Sequence, residues 1–503
     1  MSHRLNRRQL LKSLSMCTAG GSAALGTLLQ SRRGLAQVAD DGKPYFLIVI
    51  PAAGGGSLID SFLAIRQSES PNAAELNCFP DGEVKDIAGS PFRAVDLSRQ
   101  QAGQIPIPFT TNQSAFVNKH KQDLMVVTST GTSVNHHVAQ HRSLTGGGGA
   151  WNGKTLQEAV AEKYGARFPI PNVNMSGDGY IEHGTDRTIP AYCYNEPVSN
   201  ALVWPIGLDG MKGLKDLPPR GLIEKARALR DQKLDPESDF ARTFGGSERL
   251  ALWKAQRGAP QKALESADLI TKLMFLPNGG RVPLNEYGLA ESPDGAKVRT
   301  KFPGFATDPL HAQAALAFLL IKHRVSVTVT ISPSFSVLID TGAFPPQLVN
   351  PPLAFDYSHN SHRSAQAVMW RRMLGIADGL IDLLKAEPFD EATGESLWDR
   401  TLIYFATDFG RDKRRPANAD EFGTSHHLNN GYALLSPLVN GNKVLGGVNK
   451  SDGLTYGFDP ESGEPAPARN MTEREVYAGI LHALRIDTAG SGLPDMRAMR
   501  KRA

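Results

Sequence analysis

Five short segments of this 503-residue chain bring acidic and imidazole side chains next to glycines or hydroxyls. Residues 54–62 read Gly-Gly-Gly-Ser-Leu-Ile-Asp-Ser-Phe, where the glycines allow a sharp turn that delivers Asp60 to an edge. Residues 130–137, Thr-Gly-Thr-Ser-Val-Asn-His-His, set the hydroxyls of Thr132 and Ser133 just ahead of His136 and His137, near a predicted helix start that favours an anion. Residues 355–362 hold Asp356, His359 and His362 in a loop entering a helix. Residues 407–411, Thr-Asp-Phe-Gly-Arg, place Asp408 at the end of a predicted strand, with Arg411 in reach of a bound oxyanion. Ser425-His426-His427 completes the set on a polar loop. Several carboxylates and imidazoles without a thiolate suit divalent Zn, Mn or Mg ions. A pair of such cations polarises an ester oxygen and stabilises both the attacking and the leaving oxygen.

Positioning these segments requires a frame. Apolar, β-rich runs at residues 45–50, 124–128, 325–331 and 402–406 predict strands buried on both faces. Apolar residues three or four apart predict helices over 156–163, 310–323, 365–384 and 473–484. The expected fold is therefore α/β, a mostly parallel central sheet flanked by helices. The polar segments follow the strands, where an open α/β sheet binds its ligands. Between about residues 167 and 305 the chain turns Pro- and Gly-rich, with charged helices near 220–232 and 248–273, and is expected to form an inserted cap.

The N-terminus reads as a twin-arginine signal peptide over residues 1–36. Asn6-Arg7-Arg8-Gln9-Leu10-Leu11-Lys12 precedes an uncharged stretch at 14–29, and Gly34-Leu35-Ala36 offers a cleavage site. The mature domain, 37–503, is expected in the periplasm or outside the cell. Six of the 55 basic residues and none of the 51 acidic ones lie in that signal, so the mature chain is close to neutral. It has no basic stripe to suit nucleic acid and no second apolar span for stable membrane insertion. Cys78 and Cys193, the two cysteines left after Cys17, are able to pair in an oxidising compartment but cannot build a disulfide framework.

These segments, in this order, resemble the secreted bacterial family catalogued as domain of unknown function 1501, of the alkaline phosphatase and sulfatase superfamily. Residues 54–62 are similar to its Gly-Gly-x-Ser-x-Leu-Asp-Thr-Phe opening, and Asn135-His136 with Thr145-Gly146 to its Asn-His and Thr-Gly pair. Asp356 and His359 resemble its Asp-Thr-His element, residues 398–411 its Trp-x-x-Thr-Leu strand ending Glu-Phe-Gly-Arg, and residues 423–426 its Gly-x-Asp-His. The resemblance implies two divalent cations at the sheet edge, with Asp356, His359 and His426 on one and Asp60 and Asp408 on the other. It departs in four places. Asp408 replaces a glutamate, His359 lies one residue late so that His362 competes for its role, Leu58 stands where histidine is frequent, and His136 falls where sulfatases carry a modified cysteine. Either Thr132 or Ser133 then supplies the nucleophile, or His136 acts directly as ligand or nucleophile, or catalysis is absent.

The function expected is a metal-dependent hydrolase of phosphate or sulfate esters, with Arg411 on the anion of a small ester or glycan. The alternative is a non-catalytic exported protein that binds metal, an envelope glycan or a partner. Gly148–Thr155 fit the phosphate-loop pattern Gly-x-x-x-x-Gly-Lys-Thr, but they follow a polar stretch instead of a buried strand, which excludes that site.

Overall fold

The computed structural model describes residues 42–501, apart from 100–108, 177–179, 181–182, 209–217, 257–267, 280–282, 333–336, 340–346 and 350–353. The expected signal peptide lies outside the described residues, as does part of the expected cap. Residues Pro44–Lys501 cluster as one unit.

Eight strands form the central sheet: β1 (Phe46–Ala52), β2 (Leu124–Ser129), β3 (Asn172–Asn174), β4 (Glu196–Pro197), β5 (Thr328–Thr330), β6 (Thr401–Thr407), β7 (Asn430–Leu435) and β8 (Lys443–Leu445). Their order is β8-β2-β7-β6-β1-β5-β3-β4. Every residue of β1, β2 and β6 is buried, which is why their sequences run apolar without alternation. β1 pairs in parallel with β6 and β5, and β3 in parallel with β5 and β4. β7 alone runs the other way, antiparallel to both β6 and β2. The last two strands at one side of the sheet, β3 and the edge strand β4, come from within the stretch expected as an insertion, so the sheet extends into it.

Six helices matter for the site: α1 (Gln113–His120), α2 (His136–Thr145), α3 (Leu156–Tyr164), α4 (Pro309–Lys322), α5 (His362–Lys385) and α6 (Glu473–Ala483). Adjacent residues of a strand face opposite sides. On β6, Phe405 meets Trp370 of α5 edge-on at 6.0 Å, while the Tyr404 hydroxyl donates to the Ser143 carbonyl of α2 at 3.2 Å. Helices therefore cover both faces. Their ends are set locally: Asn135 caps α2 by accepting from Val138 N, and Gly146, at φ 67°, ends it. Thr155 with Glu158, and Thr472 with Glu475, form capping boxes on α3 and α6.

The reversal of β7 decides where the chemistry gathers. β1, β2 and β6 deliver the residues after them to their common carboxyl edge. Because β7 is antiparallel, it is the residues before it, 424–429, that reach the same edge. Asn430 is in register with Ser129, the last residue of β2.

Candidate functional site

At that edge the loops are bolted together by main-chain contacts. Gly54 has φ 91°, and a Cβ there would collide with the Asp356 backbone nitrogen, so only glycine fits. Gly54 N donates to Asp408 Oδ2 at 3.1 Å, and Phe409 N donates to Asp408 Oδ1 at 3.0 Å. Arg411, fully buried, donates to the carbonyls of Gly54 (Nε, 2.9 Å), Thr424 (Nη1, 3.2 Å) and Phe355 (Nη2, 3.3 Å). Its Nη2 also donates to Asp356 Oδ1 at 2.9 Å.

Three imidazoles converge on that same carboxylate oxygen. Nε2 of His359, His136 and His426 lies 3.3, 3.5 and 3.6 Å from Asp356 Oδ1. Nε2 of His359 is 2.8 Å from Nε2 of His426. Two of the rings are oriented from behind: His426 Nδ1 donates to the Val134 carbonyl at 2.8 Å, and His136 Nδ1 donates to Asp408 Oδ2 at 3.3 Å. A carbonyl and a carboxylate only accept, so each Nδ1 carries a hydrogen and each Nε2 is turned inward, free to ligate once it carries no proton. Phe409 stacks on His426 at 3.8 Å and fixes its plane. Nδ1 tied to a carboxylate or carbonyl, with Nε2 aimed at a shared point, is the arrangement of metal-ligating histidines. His136, Asp356 and His426 have donor atoms within 4.8 Å of one another.

Electrostatics at the cluster follow from this packing. Hydrogen bonds to Asp356 and Asp408 outweigh desolvation and raise His136 to about 9. For Asp356, burial pushes upward, but His136, His426 and the Arg411 charge overcome it and hold the carboxyl well below the usual carboxylate range. Burial, with Arg411 nearby, lowers His359.

A second carboxylate–imidazole cluster is sealed in the interior. His362, fully buried at the start of α5, places Nε2 3.0 Å from Asp60 Oδ2 and Nδ1 2.8 Å from Thr424 Oγ1. Asn77 donates to both Asp60 oxygens, at 3.2 and 3.0 Å. Burial raises Asp60, but His362, Ser57 and Asn77 together bring it below its ordinary value. Lys413 lies close by, and desolvation lowers its amine to about 8 despite the charges of Asp60 and Asp412.

The expected ligands thus divide. Asp356, His359 and His426 come together, and His136, expected as a catalytic group or a ligand, joins them as a fourth donor. Asp60 and Asp408, expected on one ion, belong to different networks: Asp60 is saturated by His362 and Asn77, and Asp408 supports His136 from behind. His362 is not an alternative to His359, because it faces inward to Asp60. Arg411 has its donors on three carbonyls and Asp356, so it braces the loops and is not free for a substrate anion. The Thr132 hydroxyl is held by the Glu473 carboxylate, which Arg142 also binds, and lies near the Asp408 carbonyl, whereas Ser133 Oγ accepts from Asn135 N and has no base beside it. Lys154 of the rejected phosphate loop is held by Glu162 and Asp186. Cys78 and Cys193 are both free and buried in separate clusters. The sequence offered no signal for Asn77 or Thr424, whose roles depend on contacts with residues far along the chain. Glu473, which also binds Arg142 at 3.1 Å, read only as a residue of a helix's first turn.

Among the described residues no helix is long and apolar enough to cross a membrane. No family model, curated protein or solved structure matches the chain.

Proposed function

We propose that this protein is a divalent-cation-dependent hydrolase of phosphate or sulfate esters, with His136, Asp356, His359 and His426 as the residues that hold the cation. The observation that supports it is the convergence of three Nε2 atoms, 3.3–3.6 Å away, on one carboxylate oxygen, with two of the rings locked from behind. Imidazole and carboxylate donors of this kind suit zinc or manganese, and a bound cation would polarise the ester and lower the pKa of water. The donor set supports one ion rather than two, since Asp60 lies elsewhere.

The chain's own residues do the rest. Asp408 keeps Nδ1 of His136 protonated and Nε2 directed inward. Arg411 offsets the Asp356 charge while pinning three loops. The cluster sits at the start of α2, whose dipole presents its positive end to an anionic ester. Ser133 has no base, and the carboxylate that holds Thr132, Glu473, is itself bound by Arg142, so water is the nucleophile this arrangement favours.

A second reading, a non-catalytic metal-binding protein, draws on one specific observation: the only arginine at the cluster, among the described residues, is fully engaged by the protein. One experiment separates the two. Purified protein is analysed for metal, then assayed on an aryl phosphate and an aryl sulfate, before and after chelation and with cation restored. Turnover that chelation abolishes and cation restores supports the hydrolase. Bound metal with no turnover on either ester supports the second reading.

A further inference from the structure

From residue 218 to residue 249 no side chain is buried, and Leu250 is the first that is. The stretch is nevertheless helical: Arg220–Leu229 continues through a wider π turn, Arg230–Leu234, into Asp235–Glu237, and a further helix spans Asp239–Phe244. Leu222 and Leu229, seven residues apart, share one side. The π turn takes five residues to close and brings Leu234 round toward that side. Phe240 and Phe244 extend the apolar line and touch each other, ring centres 5.0 Å apart. All five are at least 51% exposed. A short amphipathic helix is marginal in water unless its apolar face is covered, and nothing in the described chain covers this one.

Charge indicates what does. Residues 220–233 carry Arg220, Lys225, Arg227, Arg230 and Lys233 against Glu224 and Asp231. Residues 234–249 carry Asp235, Glu237, Asp239 and Glu248 against Arg242, which pairs with Asp239, and Arg249. The arm has a net positive first half and a net negative second half, with the apolar line running through both. Two copies laid antiparallel would set each basic half against an acidic half while covering both lines, the self-complementary pattern of a two-fold interface.

We propose that residues 218–249 form a dimerisation arm that pairs antiparallel with the same arm of a second copy of this chain. The test is sedimentation velocity on the purified protein over a concentration series, with two charge-reversed forms. One carries Arg227→Glu, Arg230→Glu and Lys233→Glu, the other Asp235→Lys, Glu237→Lys and Asp239→Lys. A twofold mass for the unaltered chain, monomers for each form alone, and a twofold mass when the two forms are mixed is the expected result. Leu229→Asp with Leu234→Asp should also give a monomer, with an unfolding midpoint unchanged because none of these side chains is buried. A chain that stays monomeric at every concentration overturns the proposal. So does a dimer that survives Leu229→Asp with Leu234→Asp, or a mixture of the two forms that does not associate. Monomers that co-sediment with anionic phosphatidylglycerol vesicles would assign the arm to a lipid surface instead and overturn it as well.

Discussion

Two clusters in this molecule are built from the same side chains and differ in what they leave unsatisfied. The Asp60–His362 pair is closed: both imidazole nitrogens and both carboxylate oxygens have protein partners, and neither residue is more than 2% exposed. At Asp356 the imidazoles are partly exposed, and their Nε2 atoms crowd one another and a single oxygen that Arg411 already binds. A saturated buried pair holds a fold together, whereas imidazoles crowded on one anionic oxygen call for a proton or a cation. What separates structure from chemistry here is the remaining valence of the donors, not their identity.

The contrast is sharpest under mutation. His426→Ala should abolish cation binding while leaving the protein folded, as elemental analysis of purified protein would show, and full metal content in that variant would break the distinction. His362→Ala should do the reverse. Removing one partner of a buried pair costs about 3–5 kcal/mol, read by denaturant unfolding, with metal content unchanged in whatever folds. Asp408→Asn keeps the shape but weakens the grip on His136, and chelator competition should show about a 10–100-fold loss of metal affinity.

Titration sharpens the comparison further. His136 is held at about 9 in the metal-free protein, above its ordinary 6.5. A raised folded pKa gives stability that is fully present below about 6.5 and lost as pH rises through about 9. Thermal unfolding of metal-free protein across that window should show the loss, and His136→Gln should flatten it. Adding zinc near neutral pH should release a proton from the same ring, detectable in weak buffer. The smallest effect belongs to Lys413, lowered from 10.5 to about 8. Between those values the unfolded chain holds a proton that the folded chain has lost, so stability rises with pH. Relative to Lys413→Met, the unaltered protein should gain stability over that interval, and a flat difference would remove Lys413 from the buried network.

Much of this frame was legible in the sequence because apolar spacing reports burial. The runs at 45–50 and 402–406 became β1 and β6, and the helices at 310–323 and 473–484 became α4 and α6 within one or two residues at each end. β7 was missed since it opens Asn-Gly, a turn signal, and nothing in a single strand's composition states its direction. β3 and β4, three residues and two, are too short to show a period. At the site, residue types were legible but facing was not. His359 and His362 share one loop, yet His362 opens a helix whose first turn points into the core, while His359 stays on the rim. Sequence spacing does not record which way a loop residue turns.

The collision that excludes a side chain at Gly54 ties the beginning of the chain to Asp356, three hundred residues on, and Arg411 then cinches both. No partial chain contains this enclosure, since donors from residues 136 to 426 meet only once the sheet has closed. Were the proposed ion to lodge there, it would be selected after folding, from the metals of whichever compartment the finished protein occupies.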